Sequence, residues 1–294
     1  MTVEREPRRT ASGPGTRPGV IRERAPAKVN LVLHVGSPRS DGLHRVCSLL
    51  ARIDLADELE VGESERDEIH CPGVEGANLA ERALAVFREA EPRAARPLAV
   101  RIEKRVPVAA GLGGGSGDAA AVLRAANELG GRPLSASALR ALAARIGADV
   151  PSQIEPGHAL VTGAGEQVEP VSLPPMALVL LPSGRGLRTA DVYAELDRAG
   201  GARERLDPGR LRALASASLG EFAAAVENDL EPAALALRPE LERTLAALRR
   251  HGALAAAISG SGPTAFGVFR GRSEARHAAE RIDGALAVAT EAPA

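Results

Sequence analysis

Between residues 107 and 118 the chain reads Pro107-Val-Ala-Ala-Gly-Leu-Gly-Gly-Gly-Ser-Gly-Asp118, and an apolar, alanine-rich run follows to Leu129. Five of the seven residues from Gly111 to Gly117 are glycine. Glycine lets the backbone approach a ligand closely and adopt positive φ, while the start of a helix offers unpaired N–H groups and the positive end of its dipole. The pattern therefore predicts a phosphate-binding loop at a helix N-terminus. A flexible linker is the alternative, but linkers are rarely flanked by apolar segments on both sides.

This loop matches neither of the two commonest nucleotide-binding motifs. A Walker A motif ends in Gly-Lys-Ser/Thr, whereas Ser116 is followed by glycine and aspartate. A dinucleotide-binding motif has a third glycine where Ser116 stands. A second glycine pattern, Gly260-Ser-Gly-Pro-Thr-Ala265, leads into the strand-like run Thr264–Phe269 and not into a helix. A nicotinamide-dependent oxidoreductase is therefore not favoured.

Composition narrows the class of protein and its partners. A net charge of −1 over 294 residues argues against a polyanion-binding surface, so no nucleic-acid partner is expected. No apolar run approaches the roughly 18 residues of a membrane-spanning helix, so no membrane partner is expected. Residues 1–19 lack the apolar core of a secretory signal and are expected to form a disordered tail. Cys47 and Cys71 fit neither a metal site nor a disulfide framework, which favours the cytoplasm. The sequence leaves both a monomer and a homodimer open.

The order of strand and helix patterns predicts an α+β chain with two domains. The Pro-rich junction Glu169–Pro175 is the expected boundary, which gives an N-terminal domain over 20–170 and a C-terminal domain over 171–294. The individual expectations are strands at Val20–Val35, Leu49–Ile53, Glu58–Val61, Leu98–Lys104, Ala177–Leu181, Ala253–Ile258 and Thr264–Phe269, and helices at Leu79–Ala90, Ala119–Leu129, Ser135–Ile146 and Ser273–Ile282, with several more between Thr189 and Arg250.

Three segments together resemble the GHMP kinase superfamily. They are Ala25-Pro-Ala-Lys-Val-Asn-Leu31, the Gly111–Gly117 loop and Ile258-Ser-Gly-Ser-Gly-Pro-Thr-Ala265, in that order along the chain. The resemblance covers essentially Ile21 to Ala289. It implies a two-domain fold with a ribosomal-protein-S5-like N-terminal domain, a ferredoxin-like α+β C-terminal domain, and an active site in the cleft between them.

Further segments are similar to one family within this superfamily, the 4-diphosphocytidyl-2-C-methyl-D-erythritol kinases. They are Asp41-Gly-Leu-His44, Gly147-Ala-Asp-Val-Pro151 and Asn228-Asp229. Galactokinase-like members instead continue past the asparagine of the first motif into Gly-Glu-His. The resemblance implies transfer of the ATP γ-phosphoryl group, with Mg²⁺, to the C2 hydroxyl of a small cytidine-diphosphate substrate in non-mevalonate isoprenoid biosynthesis. The alternatives are another GHMP small-molecule kinase or a non-catalytic nucleotide-binding member.

The resemblance also implies a catalytic pair, Lys28 and Asp149. Asp149 follows a helix-ending glycine and precedes Pro151, so Val150 is expected to be extended and Asp149 to sit on a constrained turn as the general base. The alternative that spacing alone leaves open is that Asp149 is the N-cap of a short helix. Lys28 matches the catalytic lysine of the family, and Asn30, two residues on, shares its strand face and is expected to contact the substrate.

The cytosine is expected to be held by residues that match the family motif only in part. The resemblance implies that His44 reads the base, and that an aromatic ring stands where this chain has Leu43; Leu50, further on, is also aliphatic. Tyr193, the single tyrosine of the chain, aligns with a base-stacking aromatic but is alternatively a core residue. Gly260 and Gly262 are expected to approach the phosphates or the methylerythritol end, and a plain hairpin turn is the competing interpretation.

The nucleotide is expected along the glycine loop. The amides of Gly113–Gly117 are expected to bind the β- and γ-phosphates, and the Ser116 hydroxyl to reach a phosphate-bound Mg²⁺. Asn78 matches a position near the adenine, with helix N-cap as the alternative. The ATP-binding residues implied are Asn78, Pro107, Val108, Ala109, Ala110, Gly111, Leu112, Gly113, Gly114, Gly115, Ser116 and Gly117.

Overall fold

A computed structural model describes residues 19–74, 76, 78–155, 157–184 and 186–291. The expected disordered tail therefore lies, apart from Gly19, outside the described residues. The strands are β1 (Val20–Pro38), β2 (His44–Glu63), β3 (Glu68–His70), β4 (Leu98–Glu103), β5 (His158–Thr162), β6 (Gln167–Val171), β7 (Ala177–Leu181), β8 (Glu227–Asn228), β9 (Ala255–Ile258), β10 (Ala265–Phe269) and β11 (Leu286–Ala289).

The α-helices lie after the long β1–β2 pair in the first half and between the strands of the second half. They are α1 (Leu79–Ala90), α2 (Gly114–Leu129), α3 (Ala136–Ala144), α4 (Thr189–Ala199), α5 (Pro208–Leu214), α6 (Leu219–Ala224), α7 (Glu231–Leu237), α8 (Leu241–Arg250) and α9 (Arg272–Ala279). A single 3₁₀ turn, Pro151–Gln153, follows α3. Among the described residues, no helix is long and apolar enough to cross a membrane.

The first sheet is organised around a long antiparallel hairpin of β1 and β2. Its strands run in the order β3-β4-β2-β1-β8, and β5 and β6 extend it from β2. The two expected strands at Leu49–Ile53 and Glu58–Val61 are both parts of β2. The pairing of β1 with β2 shifts register between Pro26 and Lys28, at a residue that has no N–H to donate to the ladder. Helices α1, α2 and α3 cover one face of this sheet and bury its apolar side chains.

The second sheet has the order β11-β7-β10-β9 and is fully antiparallel. The predicted strand pair near the C-terminus is confirmed, because β9 and β10 are neighbours joined by residues 259–264. Helices α4, α7, α8 and α9 pack with this sheet through a core that includes Val179, Leu245 and Phe269.

The two halves of the chain share structure where they meet. Strand β6 ends at Val171 and β7 begins at Ala177, so the chain passes from one sheet to the other across the predicted Pro-rich junction. However, β8 belongs to the second half and pairs in parallel with β1 of the first sheet. A common core holds Leu31 and Leu49 together with Phe222 and Phe266. The two halves of the chain are therefore joined by a shared strand pairing and a shared core.

Candidate active site

The glycine loop is shaped by two glycines with left-handed backbone. Gly111 has φ 76° and Gly113, the N-cap of α2, has φ 73°. A Cβ on Gly111 would lie 2.6 Å from the carbonyl oxygen of Gly262, and a Cβ on Gly113 would lie 2.8 Å from Cγ of Lys28. Both positions therefore require glycine for conformation and for space, because L-residues rarely adopt positive φ.

Helix α2 begins inside the loop, at Gly114, five residues before the predicted start. The amides of its first turn, Gly114, Gly115 and Ser116, have no acceptor within the helix and are free for an anion. The expectation for Gly117 is wrong, because its N–H donates to the Gly113 carbonyl at 2.8 Å. Gly117 is also buried and lines neither of the two cavities described below.

A cavity of about 430 Å³ runs along this loop. It is lined by every nucleotide residue named from the sequence except Gly117, namely Asn78 and the ten residues Pro107 to Ser116. Asn78 is also the N-cap of α1, since its Oδ1 accepts from the Ala80 N–H at 2.9 Å. The helix-cap interpretation of Asn78 is therefore confirmed, and the same side chain faces the cavity.

Beneath the loop lies an ion cluster that the sequence did not reveal. Lys104 Nζ donates to Asp118 Oδ2 at 2.7 Å and to Asp57 Oδ2 at 2.5 Å. Burial raises the pKa of Asp118 to about 6 against the lowering influence of Lys104, and Asp118 and Asp57 together raise the pKa of Lys104. Lys104 and Asp118 line the cavity along the loop, so the cluster supports the loop from below, and the Lys104 ammonium is already paired with two carboxyl groups.

Lys28 lies at the point where the loop meets β1. Its side chain is buried, and its Nζ lies 2.6 Å from Asn30 Oδ1, 3.2 Å from the Gly111 carbonyl and 3.3 Å from Asp149 Oδ2. The Asp149 carboxylate is half-exposed toward the cleft, whereas the ammonium is enclosed. The structure thus brings together the two residues named as a catalytic pair, and orients both toward the same space.

Asp149 is carried by a short turn whose backbone differs from the expectation. Val150 is helical, with φ −65° and ψ −39°, and is the N-cap of the 3₁₀ turn that begins at Pro151. The prediction of an extended Val150 and the alternative of Asp149 as N-cap are therefore both wrong. Val150 is fully buried against the helices on the first sheet, and this packing overrides the usual preference of a residue before proline. The Ser152 hydroxyl donates to the Asp149 carbonyl at 2.8 Å and secures the turn.

A second cavity, of about 700 Å³, is lined by the Lys28–Asp149 pair. The sequence-predicted residues that line it are Lys28, Asn30, Leu43, His44, Asp149, Tyr193 and Gly260. Gly111, Gly113, Ser116 and Thr189 line both cavities, so the two spaces adjoin at the start of α2. We call them the nucleotide cavity and the acceptor cavity.

One wall of the acceptor cavity carries its two rings. His44 and Tyr193 have ring centroids 4.9 Å apart at an angle of 43°, and His44 Nε2 lies 2.8 Å from Asp197 Oδ1. Tyr193 also packs against the core of the second half, and burial followed by the negative charge of Asp149 raises its pKa. Tyr193 is therefore a core contact, as one interpretation had it, and its ring also lines the acceptor cavity, where the other interpretation needs it.

Another part of the cavity lining is aliphatic. Leu43 and Leu50 line the cavity together with Val161 and Val46, and Leu43 is 54% exposed at the mouth. The Leu43 N–H donates to Asp41 Oδ1 at 3.1 Å, which fixes the turn that carries it. A flat apolar surface therefore stands where the family motif has a ring.

The hairpin between β9 and β10 closes the cleft from the second half. Gly260 lines the acceptor cavity, whereas Gly262 lines neither cavity and packs against Gly111. The hairpin-turn interpretation holds for both glycines. Ser259 accepts from the Asn30 N–H at 3.2 Å, and Asn228 Nδ2 donates at 2.7 Å to the carbonyls of Ile258 and Gly260. Ser259 and Asn228 thus hold the hairpin in place; both stand in segments quoted from the sequence, but neither was named there as a site residue.

The described residues contain no group of three or more His, Cys, Asp or Glu side chains suited to hold a metal ion. Mg²⁺ in phosphoryl-transfer sites is bound mainly by substrate phosphates and water with one or two protein oxygens. Ser116 fits that need, since it lies at the helix start between the two cavities and is partly exposed. The residues present are therefore compatible with Mg²⁺ that arrives with a nucleotide.

Comparisons with known proteins agree with this architecture. The GHMP kinases N terminal domain model matches residues 78–157, and the GHMP kinases C terminal model matches residues 211–287. A 4-diphosphocytidyl-2-C-methyl-D-erythritol kinase from Anaeromyxobacter dehalogenans is 46% identical over 275 residues, covering 88% of this chain and 84% of that protein. The enzyme of the same name from Rhizobium johnstonii is 38% identical over 274 residues, covering 89% and 88%.

A solved structure extends the likeness to three dimensions. The crystal structure of a 4-(cytidine 5'-diphospho)-2C-methyl-D-erythritol kinase superposes with a TM-score of 0.79 at 36% identity, covering 92% of this chain and all of that one. The two domain models fall on either side of the junction between the sheets, and the overall identity spans both. The chain is a small-molecule kinase with the two-domain α+β GHMP kinase fold, and it belongs to the 4-diphosphocytidyl-2-C-methyl-D-erythritol kinase family of the GHMP kinase superfamily.

Proposed function

We propose that the protein transfers the γ-phosphoryl group of ATP to the C2 hydroxyl of 4-diphosphocytidyl-2-C-methyl-D-erythritol, giving the 2-phosphate and ADP, in non-mevalonate isoprenoid precursor biosynthesis. One observation carries this proposal. The Lys28–Asp149 pair lines a large, partly apolar cavity, and Lys28 contacts Gly111 at the point where this cavity adjoins the phosphate-type cavity. A donor in one cavity and an acceptor in the other would meet at that pair.

Asp149 is the general base. Its carboxylate is open to the cleft and takes the proton of the C2 hydroxyl as that oxygen bonds to the γ-phosphorus. The bond from this phosphorus to the β–γ bridging oxygen breaks, and ADP leaves with the electron pair. Lys28 holds the carboxylate in position and places a buried positive charge beside the transferring group, where low dielectric strengthens its effect.

The nucleotide phosphates bind the free amides at the start of α2. The N–H groups of Gly114, Gly115 and Ser116, together with the dipole of a 16-residue helix, supply fixed positive potential at no cost in reorganisation. Mg²⁺, held on the protein side by the Ser116 hydroxyl, would neutralise phosphate charge. We assign Asn78, which lines the same cavity, to the adenine.

The cytidine end occupies the acceptor cavity. His44, oriented by Asp197, has one ring nitrogen left for the base, and the Tyr193 ring and the Leu43 side chain offer faces on which the base can lie. Asn30 and Gly260 bound the cavity close to Lys28, on the side of the reacting hydroxyl.

Three further assignments concern the domains, the cellular compartment and the partners of the protein. We assign residues 20–170 and 171–294 to two domains, supported by the change of sheet between β6 and β7. We place the reaction in the cytoplasm, supported by two free cysteines and the need for ATP. The small-molecule substrate is the only partner that this activity requires.

The experiment is a turnover assay of the purified protein with ATP, Mg²⁺ and 4-diphosphocytidyl-2-C-methyl-D-erythritol. ADP release is followed by a coupled enzyme, and the new phosphomonoester by phosphorus NMR. We expect turnover of about 1 per second or faster, typical of metabolic enzymes. Preference for mevalonate or a sugar would assign the chain to another GHMP activity. Binding of ATP without turnover on any acceptor would indicate a non-catalytic member.

A further inference from the structure

The neighbouring Lys28 ammonium determines the orientation of the Asn30 side-chain amide. Lys28 Nζ lies 2.6 Å from this amide, and an ammonium can only donate hydrogen bonds. The amide oxygen must therefore face Lys28, and its NH₂ group must face the other way. On that other side lies Ser48 Oγ, 3.0 Å from Asn30 Nδ2.

The direction of the Ser48 hydroxyl follows from the same reasoning. Because Ser48 Oγ accepts from the amide, its single hydrogen is left to donate, and it donates to the Val32 carbonyl at 2.7 Å. A one-way chain of hydrogen bonds thus runs from Lys28 through Asn30 and Ser48 to the backbone of β1. The side chains of Lys28, Asn30 and Ser48 are all buried.

The pairing of β1 with β2 explains why Ser48 reaches both of its partners. Strand β1 shifts register against β2 between Asn30 and Val32, and such a bulge re-aims side chains locally. The shift sets Ser48 against both the Asn30 amide and the Val32 carbonyl. Asn30 Nδ2 has two hydrogens and Ser48 takes one, so the second is available to a substrate oxygen in the acceptor cavity, which Asn30 and Ser48 both line.

We propose that Ser48 is a positioning residue for phosphoryl transfer, which fixes the Asn30 amide with its oxygen on Lys28 and an N–H toward the acceptor hydroxyl. This inference rests on the proposed function, since it assigns Asn30 a donor role toward that substrate. Without the Ser48 hydroxyl, a buried NH₂ loses its partner and the amide is free to rotate away from Lys28. Ser48 itself need not touch the reacting atoms.

The test compares Ser48→Ala with the wild type and with a matched loss of a buried hydroxyl, Thr290→Val, far from both cavities. Thr290 Oγ1 accepts from the Met176 N–H at 3.0 Å, so this control also removes a buried hydrogen bond. We expect Ser48→Ala to lower kcat about tenfold, as one unmade hydrogen bond in the transition state would, with the KM for ATP within about twofold of wild type. Thr290→Val should leave kcat unchanged.

A double-mutant cycle separates positioning from a general structural role. If Ser48 acts through Asn30, then in an Asn30→Ala background the further change Ser48→Ala should alter kcat by less than about twofold. Independent, multiplying effects of the two changes would overturn the proposal. So would a Ser48→Ala variant with wild-type kcat.

Two further variants keep the test decisive if Ser48→Ala folds poorly. Ser48→Thr retains the hydroxyl and should keep kcat within about threefold, whereas Ser48→Cys retains the size but hydrogen-bonds weakly and should lose activity. Wild-type kcat in the cysteine variant would contradict the inference. All variants are assayed beside the wild type, because an inactive wild type would instead contradict the proposed function.

Discussion

The two adjoining cavities are built in different ways. The nucleotide cavity is lined mostly by ten consecutive residues, 107–116. We propose that backbone N–H groups of this segment bind the phosphates. The acceptor cavity is walled by side chains from β1, β2, α4 and the β9–β10 hairpin, which are distant in sequence. Phosphate needs only N–H groups and a helix start, so a local pattern suffices. A nucleobase and a polyol need side chains at fixed places, and only the whole fold supplies these.

The largest expected effect falls on the Lys28–Asp149 pair, beside the junction of the two cavities. Asp149→Ala should lower kcat about 10²–10⁴-fold, because it removes the base while leaving the lining of the nucleotide cavity in place. ATP affinity measured by calorimetry should stay near the wild-type value. Asp191→Ala, which removes an exposed carboxylate that lines neither cavity, serves as control. A near-normal kcat for Asp149→Ala would remove this residue from the mechanism.

The next effect tests the backbone-built cavity. Gly113→Ala forces a side chain onto a residue at φ 73° and against Lys28, so the ATP dissociation constant should rise about 10- to 100-fold. The matched control is Gly131→Ala, since Gly131 has φ 85° with nothing within 4 Å of an added Cβ. That control should carry similar backbone strain and bind ATP normally. Equal loss of affinity in both variants would mean that strain alone, and not the loop, governs binding.

A third effect tests the side-chain-built cavity. Tyr193→Ala should weaken binding of the cytidine substrate by about 1–3 kcal/mol, the range for base–aromatic stacking. The free energy of unfolding should fall too, because Tyr193 packs against the core of the second half. Tyr193→Phe, which keeps the ring, should preserve substrate binding by calorimetry. A Tyr193→Ala protein that melts lower but binds substrate normally would show that the ring serves only the core.

The smallest effect concerns the aliphatic wall. Leu43→Phe restores a ring at a half-exposed position at the cavity mouth, so it should be tolerated and should tighten substrate binding by no more than about 1.5 kcal/mol. The KM for ATP should not change. Leu43→Ala is the control for lost surface and should weaken substrate binding slightly. A large loss of affinity in Leu43→Phe would show that the pocket requires the smaller side chain.

The sequence predicted best those elements with strong local signals. Helix α1 has the expected bounds, because Asn78 caps it and its apolar periodicity is regular. Strands β3, β5, β6, β8 and β11 were not expected, since they have five residues or fewer and, apart from β6, pair with strands far along the chain. Their existence depends on tertiary packing, which no short window of sequence contains.

The same distinction applies within the candidate site. The glycine loop and the Lys28–Asp149 pair were recognisable from motifs, whereas the cluster around Lys104 was not. The sequence placed Lys104 only at the end of the expected strand Leu98–Lys104, and only the fold brings Asp57 and Asp118 to the lysine. Ser48 likewise carries no local signal, and Ser259 stands in a quoted segment without an assigned role, because the partners of both are on other strands.

If the nucleotide and the acceptor occupy separate cavities that adjoin at the start of α2, a variant in one cavity should lose only one ligand. Gly114 lines only the nucleotide cavity and Tyr193 only the acceptor cavity, and Gly114→Val sets a β-branched side chain against Val106 and Lys104. Calorimetric titration of both ligands should therefore show opposite losses, with Gly114→Val weakened for ATP but not for the cytidine substrate, and Tyr193→Ala weakened for the substrate but not for ATP. If either variant loses both ligands to the same degree while remaining folded, or if the pattern is reversed, the division into two cavities is contradicted.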